Sequence, residues 1–588
     1  MDQRVKESSL DPVTLEVIRN ALPAISNEMA VDLQRTSYNM IIYEVRDFCT
    51  ALVLPNGDLV SQNVGGVSHF IADLGVMITD CVDRYAKEGF KPGDVIISNH
   101  QRVAGQHLNN VCIHMPYFYK GELLMFAIVR AHWIDVGGTS TGFGAGLTVA
   151  DPWLEGLQLD QLKIYRGGEV DETLYRVISD NIRYPESSLG DMKSQMAACR
   201  LALRRLDELF DKYSRDTVLS AIQKIFDETE LKCRNVVSTF PDGVYEAESV
   251  LDDDGVLKGE PVRFHAKVTI KAGEMTIDHS LGAGERKSAM NSRTLAAPRI
   301  AYKALTAPHE AVNEGSFRAL KCIIPEGNMM MARFPAPMAH WSIVLPMVVD
   351  TIVAALAKAI PDRVPAAHFG LMGNNGVFFG INPKSKRRFV ISCSGGGGWG
   401  GRPTEDGESA AVTVCQGDVR NASIEELEMK SPVIIHTRGL RQDSGGPGKN
   451  RGGLGSTMRI ENISEGRWNM ERPRRQNCPP WGLDGGLAGE AGTKLLKKAG
   501  EEKFTNVDLS RHLVPDRSEV LIHAGSGGGW GNPLEREPER VLWDVIEGLV
   551  SPESATKFYG VVLKGADTLD AKATSELRRQ MSEQRAAA

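Results

Sequence analysis

"LLMFAIVRAHWIDVGG" (residues 123–138) decides how the first part of the chain is read. Its apolar run reads as a strand over 123–133 that leads straight into His132, Asp135 and a pair of glycines. On a continuous strand, residues three apart face opposite sides. His132 and Asp135 can face one point only if the strand ends near His132 and the chain turns, and Gly137-Gly138 makes that turn plausible.

Upstream, the strand "DVIISN" (94–99) opens into a polar loop, "HQRVAGQHLNN" (100–110), which ends in a second histidine, His107, ahead of the strand "VCIHMPYF". Two histidines and one aspartate from neighbouring strand ends would make a three-ligand site with open positions. Mixed nitrogen and oxygen ligation of that kind suits Mn, Fe or Zn. Asp47 and Glu44, in "YEVRDF" (43–48), stand ready as a further ligand, a general base or an orienting carboxylate. Taken alone, an HxxD pair is weak, because histidines are commonly satisfied by ordinary hydrogen bonds. His69, in "GGVSHFIADLG", is placed either to line the same cleft or to be structural. His100 and His114 are less favoured as ligands, and His114 is read as packed within a strand.

Outward from this centre the elements are well marked. Asp11-Pro12 supplies an N-cap and a helix-compatible proline, and Leu15, Ile18, Leu22, Ile25, Met29 and Leu33 recur at helical spacing. Pro23 is expected to kink or interrupt that helix. "CTALVLPNGDLVSQ" reads as a hairpin turning at Asn56-Gly57. A helix is expected over 70–88, and charged helical sequence over 187–236. Beyond about 240, short strands alternate with glycine-rich turns. The expected organisation is therefore an N-terminal α/β domain (1–240) carrying the site, a β-rich region (241–565) and a polar C-terminal helix or tail (566–588). The fold class is mixed α+β, multi-domain, with antiparallel sheets prominent in the C-terminal part.

Three glycine clusters, "SGGGGWGGRP" (394–403), "DSGGPGKNRGGLG" (443–455) and "GSGGGWGNP" (525–533), lack the GK[ST] ending of a nucleotide P-loop. They read as tight turns that let backbones approach closely. Charge is nearly balanced, 68 basic against 75 acidic residues for a net of −7, which argues against nucleic acid or an anionic membrane surface as a partner. "MDQRVKESSLDP" has no apolar run and is read as no signal peptide, and no apolar stretch reaches membrane-spanning length. The nine cysteines form no CxxC pair, which suggests free thiols in a reducing compartment.

Together the motifs are specific. "DPVTLEVIRNAL" (11–22), "EVRDFCTALVLPNGDLVSQ" (44–62), "KPGDVIISN" (91–99), "GQHLNN" (105–110), "RAHWIDVGG" (130–138), "LRQDSGGPGKNRGGLG" (440–455), "PPWGLDGG" (479–486) and "GSGGGWGNPLEREPERVLWDV" run end to end. The chain resembles the hydantoinase B/oxoprolinase family, the B-type subunits of ATP-dependent cyclic-amide hydrolases and related carboxylases. The resemblance implies an A-type partner subunit of the actin-like ATPase class. That partner would hold ATP and Mg and phosphorylate the substrate carbonyl oxygen. It also implies a hetero-oligomer, a cytoplasmic location and a divalent metal (Zn, Mn or Fe). Its GxHL and HxxDxGG motifs map to His107, His132 and Asp135 as metal ligands. The implied reaction is opening of a lactam, hydantoin or oxoproline-like ring by metal-bound water, with Asp47 or Glu44 as further ligand or base. The alternative is a subunit of an acetone- or acetophenone-type ketone carboxylase. One departure stands out: where many members read NDPYxGGTHLPD, this chain reads "NHQRVAGQHLNN", with His100 and Asn110 in place of two aspartates.

Overall fold

Asp11 caps the first helix by accepting a hydrogen bond from the Thr14 amide at 2.9 Å, with Pro12 at the first helical position. The structure, a computed structural model, describes residues 10–141, 146–370, 375–565 and 567–587. The first nine residues, on which the signal-peptide reading chiefly rests, lie outside that range. The helix runs unbroken over Pro12–Thr36 and contains Pro23. Of the expected kink or interruption, the interruption does not occur: the stripe from Leu15 to Leu33 is buried along the whole length, and that packing sustains the helix on both sides of the proline.

The elements that position the site form a seven-stranded antiparallel sheet. Its strands are β1 (Phe48–Val53), β2 (Leu59–Gln62), β3 (Val95–Ser98), β4 (Asn110–Tyr119), β5 (Glu122–His132), β6 (Leu162–Arg166) and β7 (Glu169–Val170). They lie in the order β2-β1-β5-β4-β3-β6-β7. β1 and β2 are the expected hairpin. The period of two along β5 sorts its side chains between two cores. Met125, Ala127, Val129 and Ala131 pack with the helices Pro12–Thr36, Pro185–Tyr213 and Arg215–Val237. Phe126 and Ile128 join the core on the other face, with the helices Ser68–Arg84 and Leu345–Leu356. Arg130 follows the second set, its guanidinium 5.4 Å from the Phe70 ring centroid. His132, two residues on, continues the same parity.

That second core draws on residues both before and after position 240, joining β1 and the helix Ser68–Arg84 to the sheet that contains Val262–Lys271. Two further sheets, of four and five strands, build the C-terminal part around a core of Phe378, Ile391, Trp468, Met470, Val520 and Ile522. A mixed α and β fold with several antiparallel sheets is thus what the chain adopts. The C-terminal segment Ala571–Ala587 is a mostly exposed helix. Arg578 ties it down by donating to the carbonyls of Tyr559 and Arg536.

The glycine clusters are not simple turns. They are extended segments packed backbone to backbone. The segment 525–531 exchanges hydrogen bonds with three others: Gly398 N donates to Gly525 O (3.0 Å), Gly446 N to Gly527 O (2.9 Å) and Gly529 N to Leu487 O (2.9 Å). A strand in a flat sheet has two neighbours; three neighbours at this spacing leave no room for side chains. A methyl group at Gly398 would overlap Gly453 O.

Candidate functional site

Three strand ends meet at one edge of the seven-stranded sheet. His132, the last residue of β5, donates its amide to Asp47 O at 3.1 Å, just ahead of β1. Trp133 N donates to Asn109 O at 2.8 Å, just ahead of β4. This lacing brings the loop holding His107 beside His132, and the two rings meet edge-on with centroids 4.8 Å apart. His107, Asp47 and His69 line a cavity of about 130 Å³, together with Glu155 and His340. Its remaining wall comes from the C-terminal sheets and includes Asn469, Glu471 and Lys494.

Burial sets the charge of this wall. It pushes His107 down to about 4, against the opposing hydrogen bond with Asn110, and His69 down to about 3. It holds His132 well below the usual histidine range, with His107 adding to the effect. All three are neutral at pH 7. Burial also pushes the Asp47 carboxyl up to about 7, although the side chain keeps some exposure to the cavity. His69 Nδ1 lies 2.6 Å from Cys415 O, so Nδ1 carries the proton and Nε2 is the acceptor.

Behind His107 runs a chain of fixed amides. His107 Nε2 is 2.8 Å from Asn110 Oδ1, Asn110 Nδ2 donates to Gln106 Oε1 (2.8 Å), and Gln106 Nε2 donates to Asp73 Oδ2 (2.8 Å). Asn110 therefore contacts the histidine directly with a neutral group.

Asp135 is held by protein partners of its own. The turn is there, with Gly137 and Gly138 at φ of 86° and 71°. Asp135 is not among the residues lining the cavity. One oxygen pairs with Arg183 Nη1 at 2.6 Å; the other accepts from the amides of Arg183 (2.6 Å) and Gly137 (3.3 Å). A fully buried carboxylate needs such partners, and the turn supplies them before any ion could. Glu44 closes the short helix Met40–Tyr43 and is not part of the cavity lining. Among the described residues, no three His, Cys, Asp or Glu side chains are grouped closely enough to hold an ion.

Other histidines divide as their surroundings dictate. His114 is buried within β4 and His100 packs on Phe334 at 4.9 Å. Several cavity residues were not singled out from the sequence, His340 and Glu155 among them. His340 has an Nε2 atom that is buried without a hydrogen-bond partner among the described residues. The tripeptide Ala-His-Trp occurs twice, at 131–133 and 339–341, and was a readable signal for it. Glu155 accepts from the Leu108 amide and from Gln101 Nε2 (2.7 Å), so it pins the loop that carries His107; burial pushes its carboxyl up to about 8. All nine cysteines are free; Cys322 and Cys478 are half-buried and the rest buried.

The family model described as hydantoinase B/oxoprolinase matches residues 11–533. The chain belongs to that family. It is 29% identical to caprolactamase subunit beta of Pseudomonas jessenii, over 96% of this chain and 99% of that one. The crystal structure of the ATP-dependent caprolactamase from that organism superposes with a TM-score of 0.89, at 26% identity over 97% of this chain and 100% of the other. The 5-oxoprolinase of Dictyostelium discoideum is 25% identical over 89% of this chain, which spans 40% of that longer protein. Nucleotide-free acetone carboxylase shares the fold, with a TM-score of 0.86 at 18% identity over 98% of this chain and 84% of that one. Among the described residues, no helix is long and apolar enough to cross a membrane.

Proposed function

We propose that this chain is the ring-opening subunit of an ATP-dependent cyclic-amide hydrolase and that the histidine-lined cavity is its active site. The observation that carries this is the meeting of two neutral imidazoles, the half-buried His107 and the buried His132, at the ends of neighbouring strands beside Asp47. An A-type subunit would bind ATP and Mg and phosphorylate the amide oxygen in the cytoplasm. That the chain spans only 40% of the Dictyostelium discoideum 5-oxoprolinase supports a division of labour between subunits.

The donor chemistry fits a divalent metal (Zn, Mn or Fe), because nitrogen ligands must be unprotonated and burial keeps these so. His107 and His132, whose rings meet, would hold it with the remaining positions left to water or substrate, and bound there it would lower the pKa of water and polarise the activated carbon. Asp135 would act from a distance, fixing through Arg183 the turn that ends β5. His69 and His340 would bind and orient the substrate's polar edge, and Glu155 would hold the His107 loop in register.

The test is metal content and ATP-dependent ring opening of the chain co-expressed with an A-type subunit. Hydantoin, 2-pyrrolidone, caprolactam and 5-oxoproline form the panel. In wild type, about one metal per chain is expected for a single site at the histidine pair. His107→Ala and His132→Ala should each lose metal and turnover, while Asp135→Asn should keep the metal. Full turnover in both histidine variants would sink the reading. Acetone with bicarbonate belongs in the same assay, since the fold is shared with acetone carboxylase.

A further inference from the structure

The C-terminal wall of the cavity carries an unusual residue. Lys494 lies on the strand Thr493–Lys497, whose burial alternates, and it occupies the same inward face as Leu496. Leu496 packs in the C-terminal core, whereas Lys494, only 3% exposed, reaches the cavity wall. Lysine is almost never fully buried for packing alone. Beside it stands Glu471, only 8% exposed. One Glu471 oxygen accepts from the Leu147 amide at 2.6 Å; the other, Oε2, is buried with no hydrogen-bond partner among the described residues. A buried cation and a carboxylate oxygen still short of a donor thus share the wall that the histidines do not supply.

We propose that Lys494 is the general acid that protonates the ring nitrogen, so that attack on the activated amide ends in ring opening. This rests on the hydrolase reading above. Once the amide oxygen is phosphorylated and water has added to the ring carbon, that carbon bears a hydroxyl, a phosphoryl oxygen and the ring nitrogen. Two bonds compete to break. If the carbon–oxygen bond to phosphate breaks, phosphate leaves, the intact cyclic amide returns and one ATP has been consumed without product. If the carbon–nitrogen bond breaks, its electron pair goes to nitrogen, which must take a proton. The hydroxyl gives up its proton to solvent as the carbonyl forms, and the ring opens to an amine and an acyl phosphate, which water hydrolyses to a carboxylate and phosphate. A proton donor at the nitrogen selects the second course. Lys494 gives its ammonium proton and is recharged from solvent, and Glu471 Oε2 accepts the nitrogen's remaining N–H. Burial pushes the Lys494 ammonium down to about 7, against the pull of Glu471 and Asp508 and with Arg474 adding to it, so it can give and regain a proton near neutrality.

The test uses the co-expressed complex and measures ring-opened product and released phosphate separately, on hydantoin, 2-pyrrolidone and caprolactam. Wild type should give the two in equal amounts. Lys494→Met should lose product formation by about a hundredfold, the ordinary contribution of a general acid, while amide-dependent phosphate release falls far less. Lys494→Arg keeps the charge but holds its proton too tightly, so it should uncouple in the same way. In wild type, product per phosphate should fall as pH rises through about 7 and the ammonium is lost. Product and phosphate falling in step in both variants, or a product-to-phosphate ratio independent of pH and of residue 494, would overturn the proposal. If Lys494→Met does not assemble, the arginine variant and the wild-type pH dependence decide it. Wild type with no amide-dependent ATP hydrolysis on any of these three or on 5-oxoproline would instead break the hydrolase reading itself.

Discussion

The edge of the N-terminal sheet and the glycine stack of the C-terminal region solve opposite problems. At the sheet edge, strand ends deliver side chains: the period of two aims His132 one way and the turn at Gly137-Gly138 sends Asp135 another. In the stack, four segments approach so closely that side chains are excluded, and backbone amides and carbonyls supply the contacts. In the first region function depends on which residue is present; in the second the fold depends on there being none. The two regions should therefore respond differently to substitution.

The largest effect is expected in the stack. Gly398→Ala forces a methyl group onto Gly453 O, where neither backbone can yield without opening the neighbouring segments. We expect a loss above about 4 kcal/mol, at the exceptional end for a single substitution. Gly439→Ala has open space around the added carbon and ordinary φ, so it should stay within about 0.5 kcal/mol of wild type. Chemical unfolding of the two variants side by side is the measurement, and similar midpoints would end the idea that backbone contact is what the stack requires.

Next comes the Asp135 turn. Arg183→Ala leaves a fully buried carboxylate without its ion pair and should cost about 3 kcal/mol. Asp135→Asn keeps the acceptor oxygen and removes the charge, so it should cost less. An Arg183→Ala chain as stable as wild type but devoid of metal would reverse the comparison and return Asp135 to the ligand set.

A smaller effect separates the buried histidines from the carboxyls around them. Burial pushes His114 down to about 3, so the folded chain refuses a proton that the unfolded chain takes below about pH 6.5. Its contribution is full above that pH and drains as pH falls. Asp47, Asp191 and Glu155 are pushed up to about 7, 7 and 8, and they act in the opposite sense over the same range. The difference between wild type and His114→Phe isolates the histidine. Below pH 6.5 the variant should gain on wild type by about 1.4 kcal/mol per pH unit. A difference that does not change between pH 7 and pH 5 would mean that His114 is not sealed from water.

Much of the N-terminal architecture could be read before any coordinates. The cap at Asp11, the apolar stripe to Leu33, the Asn56-Gly57 hairpin and the strand into His132 are all set by residues within a few positions of one another. So was the meeting of His107 and His132, because each sits at a strand end. Pro23 does not end its helix because its penalty is local, while the packing along the stripe from Leu15 to Leu33 is not.

What the sequence alone determined was the family, the local elements and the two histidines that face each other. Tertiary structure decided the rest: that Arg183 takes Asp135, that Asn110 contacts His107, and that His340, Glu471 and Lys494 arrive from more than two hundred residues away to close the cavity. The physical reason is range. Caps, turns and periodicity act over a few bonds of chain and leave their mark in neighbouring letters. A buried charge finds its partner, and a glycine the backbone it must admit, only when distant segments pack.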